Sequence, residues 1–226
     1  MTGKMFPFIS STWNPLGGKC RFDCSYCWAK NLINRYKFAK YTISEMYVGT
    51  QINMKFKDGE TVFVQDMNDI SFCKPEVFKL LSDAISKQPK VDFLLLTKNP
   101  AWYLSVEDMI TPNMILGATI ETDDYLVLQG VSKAPNPFDR LINMAQLRDK
   151  HPEYRLFVSV EPIMRFFKHF GPLELEPLGL WGVAVGYDNY HNGLDEPTLA
   201  ETEALIKGLE DAGVKVYRKT IREAKQ

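Results

Sequence analysis

Histidine and cysteine are both scarce in this sequence, and each scarcity excludes some chemistry. The three histidines, His151, His169 and His191, stand far apart, so no H-x-x-x-H type of zinc pattern is present. Only four cysteines occur, and Cys20, Cys24 and Cys27 are bunched in one short stretch. That distribution argues against a disulfide framework and for a reducing compartment. No apolar run approaches the roughly 18–20 residues of a membrane span, and residues 1–9 hold no apolar core of a secretory leader. A cytoplasmic location with no membrane contact is expected. Phosphate-cradling loops (G-x-x-x-x-G-K-S/T, G-x-G-x-x-G) and the nucleophile elbow G-x-S-x-G are missing too. No internal repeat, Pro/Ser-rich linker or low-complexity tract divides the chain, so residues 1–226 read as one domain.

Net charge is only −1, but it is unevenly spread. Residues 1–57 carry nine Lys or Arg against Asp23 and Glu45, a local charge of +7 that leaves −8 for the rest. Such a basic segment is either a footprint for a phosphate backbone or the solvated face of a helix. Lys30, Arg35, Lys37 and Lys40 are its candidate phosphate contacts.

The richest signal is the loop at 14–28, where the cysteines follow C-x3-C-x2-C with Tyr26 just before the last. Three thiolates so spaced suit three irons of a cubane cluster, which ordinarily takes four cysteines. The fourth iron is then free for an exchangeable ligand. Zinc is the bland alternative, because Cys24 and Cys27 form a C-x-x-C pair, but no second pair completes a tetrahedral set. Cys73 is flanked by apolar residues and reads as a small buried side chain. Gly17 and Gly18 are expected to let the backbone pass close to the cluster.

Apolar runs bounded by turn chemistry alternate with helical stretches. Strands are expected at 5–13, 61–65, 92–97, 113–120, 155–160, 179–185 and 214–217. Helices are expected at 26–45, 75–87, 100–108, up to about 150, and at 197–211. Near-continuous apolar strands point to a parallel sheet covered by helices. The fold class is therefore α/β, an incomplete (β/α) barrel of six or seven parallel strands. Polar residues recur just past the strand ends, where barrel active sites lie. Lys98, Glu121, Asp188 and Arg218 are the candidates to face substrate. The irregular tracts at 47–60 and 166–178 are candidate lids or subunit contacts.

The cysteine loop resembles the cluster-binding signature of the radical S-adenosylmethionine (SAM) superfamily, Tyr26 included. The wider chain is similar to a small, often phage-associated, radical-SAM-like family of uncharacterised substrate. The matching residues are Thr12, Trp13, Asn14 and Pro15 before the first cysteine, Leu96 to Pro100, and Glu161 with Pro162. The polar run Gln65 to Asp69 corresponds as well, whereas Gly186, Tyr187, Asp188 and Asn189 depart from the glycine-rich acidic turn of relatives. More distantly the pattern is similar to spore photoproduct lyases, which are DNA-repair enzymes.

The resemblance implies a [4Fe–4S] cluster on Cys20, Cys24 and Cys27, with SAM chelated to its open iron. An external one-electron reductant would drive SAM cleavage to methionine and a 5′-deoxyadenosyl radical. Tyr26, Asp66, Asn68, Thr97, Ser159 and Glu161 are the implied cofactor-binding residues, and a nucleic acid or nucleobase is a candidate substrate. A different class of reading is a non-catalytic iron–sulfur or zinc module that binds nucleic acid.

Overall fold

The structure is a computed structural model and describes residues 6–171 and 173–225. Among the described residues, nine strands and six α-helices follow in chain order. They are β1 (Ser11–Trp13), β2 (Leu16–Gly17), α1 (Trp28–Tyr36), β3 (Tyr47–Val48), β4 (Thr61–Val64) and α2 (Pro75–Ser86). Then come β5 (Asp92–Thr97), α3 (Ala101–Ser105), β6 (Met114–Thr119), α4 (Tyr125–Leu128) and α5 (Pro137–Lys150). The last are β7 (Arg155–Val160), β8 (Gly182–Val185), α6 (Leu199–Asp211) and β9 (Val216–Arg218).

Seven strands form one sheet in the order β1-β4-β5-β6-β7-β8-β9, and every neighbouring pair is parallel. Sequential order with helical crossovers curls the sheet into a half-barrel, as the apolar strands predicted. Side chains alternate across the strands. Val62, Val64, Phe93, Leu95, Leu116, Leu156, Val158, Val183 and Val185 point outward and are buried under the helices. Phe63, Leu94, Ile115, Phe157 and Ala184 point into the concave side.

The concave side is plugged from below by the segment before β1. Phe6 and Ile9 are each 1% exposed there, and the Phe6 and Phe157 rings meet edge-on at 5.4 Å. Burying one such ring contributes about 1.5–3 kcal/mol. The plug also explains why the first strand is shorter than expected. Phe6, Phe8 and Ile9 turn inward as apolar filling, and the strand ladder with β4 covers only Ser11–Trp13; Met5 lies outside the described residues.

The long helix expected at 26–45 is a nine-residue helix instead. It starts at Cys27, whose sulfur caps Lys30 N, and ends at Lys37 in the left-handed region at φ 54°. A single-turn 3-10 element at Ala39–Tyr41 follows. The chain then returns as β3, which pairs antiparallel with β2 and frames the cysteine loop. Gly17 and Gly18 serve that return. Gly18 sits at φ +120°, and a Cβ there would lie 2.7 Å from Met46 Cα. Their small size admits the 45–48 segment.

Candidate active site

The strand C-termini and the cysteine loop enclose a cleft of about 760 Å³, within the about 300–1,000 Å³ typical of ligand sites. Cys20, Cys24 and Cys27 all line it, and none is disulfide-bonded. The three sulfurs do not gather within the 4.8 Å that ligands of one ion span. A single zinc would need them closer, at about 2.3 Å from one centre, whereas a cubane spreads its thiolates over separate irons. The donor set thus fits a cluster better than one ion. Cys73, 3% exposed, is absent from the cleft lining and packs in the main core.

Burial pushes the Cys20 thiol up to about 12, with Asp69 and the other two cysteines adding to it. Burial also raises Cys27, although hydrogen bonds from the start of α1 work the other way. A metal bound here would take the place of those protons with positive charge.

The loop is held by the end of β4. Gln65, at φ 62° and 2% exposed, ends the strand. Its amide accepts from Leu16 N at 3.0 Å and donates to Leu16 O at 3.2 Å. Asn68 donates to Gly18 O at 2.9 Å, and Asn14 donates to Asp66 at 2.6 Å. Burial raises the Asp66 carboxyl. Asp66 and Asn68 therefore line the cleft while fastening the cysteine loop. Asp69 extends this to β5, accepting from Thr97 Oγ1 at 2.6 Å and Lys98 N at 2.8 Å. Thr97 itself is 1% exposed, turned away from the cleft onto that carboxylate.

A second tie joins the loop to β6. Glu121 is fully buried and accepts from the Tyr26 hydroxyl, the Lys98 ammonium and, at 2.7 Å, Arg140 of α5. Burial alone would raise its carboxyl, but Lys98 and Arg140 outweigh that and hold it well below the usual range. Burial and the Glu121 charge push Tyr26 well above its ordinary value. Lys98 and Tyr26 border the cleft; Glu121 lies behind them and does not.

On the far wall stand Ser159, near the end of β7, and Glu161, just past it. Glu161 pairs with Lys219 at 2.6 Å, and burial raises its carboxyl although Lys219 opposes the rise. Asp188 lines the cleft and folds its own loop, accepting from Tyr190 N at 3.0 Å and Asn192 N at 2.6 Å. Arg218 is not brought to the site. It lies outside the barrel, paired with Glu203 of α6 at 2.7 Å, and its neighbour Lys219 enters instead.

Gln65, Asp69 and Lys219 stand among the polar strand-end residues of the sequence but were assigned no role there, and Arg140 was not singled out at all. The β9 side-chain alternation signals Lys219, since one of two adjacent cations must face each way. Nothing in the sequence marks Arg140, one of several charges on an amphipathic helix.

No protein-family model matches the chain, and no curated protein matches it in sequence. Its fold is similar to solved structures at low identity. A spore photoproduct lyase variant with a dinucleoside spore photoproduct aligns at TM-score 0.60 and 12% identity, over 91% of this chain and 75% of that one. Streptococcus suis SuiB bound to S-adenosylmethionine aligns at TM-score 0.60 and 11% identity, over 95% of this chain and 47% of SuiB. SuiB bound to the precursor peptide SuiA gives 0.59 at 9% identity, over 94% and 49%. The chain thus spans about half of SuiB.

Proposed function

We propose that this chain is a radical SAM enzyme whose cleft binds a [4Fe–4S] cluster and SAM side by side. The observation that carries the reading is the convergence of three free cysteines and the polar ends of parallel strands on one cleft of about 760 Å³. Two fold neighbours add support, since SuiB has been solved with SAM and the lyase with a dinucleoside. The lead-in run Thr12 to Pro15 further favours the small phage-associated family. When bound, the cluster supplies the electron that cleaves SAM reductively to methionine and a 5′-deoxyadenosyl radical, with an external reductant upstream.

The chain's own contribution is binding, orientation and exclusion of water. Cys20, Cys24 and Cys27 hold the cluster. Asp66, Asn68, Ser159 and Glu161 face SAM, and Lys219 holds Glu161 in place. Thr97 acts through Asp69, which it orients, and Tyr26 acts by fixing the loop between its two outer cysteines. Lys98 and Asp188 face the substrate, with Glu121 setting the position of Lys98. A nucleobase or nucleic acid is the substrate class we favour, because Tyr190, 59% exposed, offers a stacking face on the cleft rim. The volume of the cleft argues against a purely structural cluster or zinc module, which has no use for one.

Anaerobic reconstitution with iron and sulfide tests the reading. About four irons per chain are expected, and dithionite with SAM then yields 5′-deoxyadenosine. Cys24→Ala abolishes both, while Cys73→Ala leaves iron content unchanged. A tightly held zinc with no iron uptake overturns the cluster assignment.

A further inference from the structure

Away from the cleft, two loops meet and bring three metal-ligating side chains together. Asp123 lies just past β6, and His169 with Glu174 lies in the irregular tract that follows β7. One ligand atom from each falls within 4.8 Å of the other two. His169 Nε2 is 3.3 Å from Asp123 Oδ2 and 3.5 Å from Glu174 Oε1. Bonds of about 2.0–2.2 Å to one tetrahedral ion place its ligand atoms roughly 3.4 Å apart. The two separations match that edge.

A second, independent observation concerns hydrogen bonding. The Asp123 side chain is only 3% exposed. Its Oδ1 accepts from Phe167 N at 2.8 Å, but Oδ2 is buried with no hydrogen-bond partner, His169 included. Glu174 Oε2 is likewise buried and unpartnered. Leaving two carboxylate oxygens dry and without donors is costly. Burial raises both carboxyls, and the Asp123 charge raises Glu174 further.

The geometry points to a divalent transition-metal site on Asp123, His169 and Glu174, one that takes zinc or manganese. Two carboxylates neutralise the ion, the imidazole disfavours calcium and magnesium, and at least one position is left for water. The ion would brace the segments that carry His169 and Glu174 against the loop after β6. Backbone ties already run between them, from Met164 N to Glu121 O at 3.0 Å and from Thr122 Oγ1 to Arg165 O at 2.6 Å. Through Glu121 the brace reaches the wall that anchors Tyr26. The site is separate from the cysteine loop and does not depend on what the cleft binds.

The test uses Mn²⁺, because the three thiols of the cysteine loop compete for zinc. The chelator-treated protein of residues 1–226 is titrated with Mn²⁺ while free ion is followed by electron paramagnetic resonance. One equivalent is expected to bind and to raise the thermal midpoint. Asp123→Asn and His169→Ala should weaken binding by more than about 100-fold, beyond the loss of an outer-shell partner. His169 is half exposed, so its replacement should fold. Cys24→Ala should retain uptake. Equal uptake by wild type and both variants, or none by wild type, overturns the proposal. The metal-free proteins separate a site from a simple ion pair. Asp123→Asn removes one of two neighbouring carboxylate charges and should not lower the metal-free midpoint. A lowered midpoint together with no Mn²⁺ uptake assigns the cluster to an ion pair and overturns the site.

Discussion

At the scale of single residues, the chain concentrates its electrostatic risk on Glu121. The carboxylate is fully buried, and its removal strands Lys98 and Arg140 without a counter-charge. Glu121→Ala is expected to cost about 3–5 kcal/mol in urea unfolding, the usual penalty for breaking a buried pair from one side. The same group sets an acid dependence. Its folded pKa lies below the ordinary 4.5, so the unfolded chain binds the proton more readily. Its stabilisation is complete above that value and drains away as pH falls toward the folded pKa. Stability curves should therefore fall less steeply below about pH 4.5 in the variant than in wild type. The cysteines were legible because all three lie within one loop. Arg140 was not, because only the packing of α5 carries it to Glu121, 19 positions back in sequence. Arg218 was misplaced by one residue, and in an extended strand one residue reverses the face.

At the scale of elements, the cysteine loop is framed by β2 and β3, a ladder of two residues on each side. Its tightest point is Gly18, where φ +120° and the nearby Met46 backbone exclude a Cβ. Gly18→Ala should lower stability by about 1–3 kcal/mol, the range for a strained backbone position. Because Asn68 fastens to Gly18 O, iron retention after reconstitution should drop in parallel. Full iron content in that variant would show that the frame does not position the ligands. Strands β5, β6 and β7 were readable because a run of three or more consecutive apolar residues needs burial on both faces. The end of α1 was not, since the sequence after Tyr36 keeps a helical balance of charged and apolar residues. The turn there is imposed by the return of β3.

For the whole molecule, the basic first quarter is the feature that the fold alters most. Lys30 pairs with Asp23, and Lys40 points inward to donate to Asn14 O, where burial lowers its pKa. Arg35 and Lys37 remain exposed. If nucleic acid is the substrate, replacing these two with Gln should flatten the salt dependence of binding by about two log units per log unit of salt. Fluorescence anisotropy at several salt concentrations measures it, and unchanged slopes would move the phosphate track elsewhere.

The sequence alone determined the three-cysteine loop, the order of the seven sheet strands and the parallel half-barrel, because each depends on neighbours in the chain or on a local pattern of burial. Only the tertiary structure decided which polar strand ends face the cleft and which fasten the loop. It also decided that Phe6 plugs the barrel, and that Asp123, His169 and Glu174 meet. Those outcomes depend on strand register and on the curl of the sheet, which bring together residues that no local pattern connects.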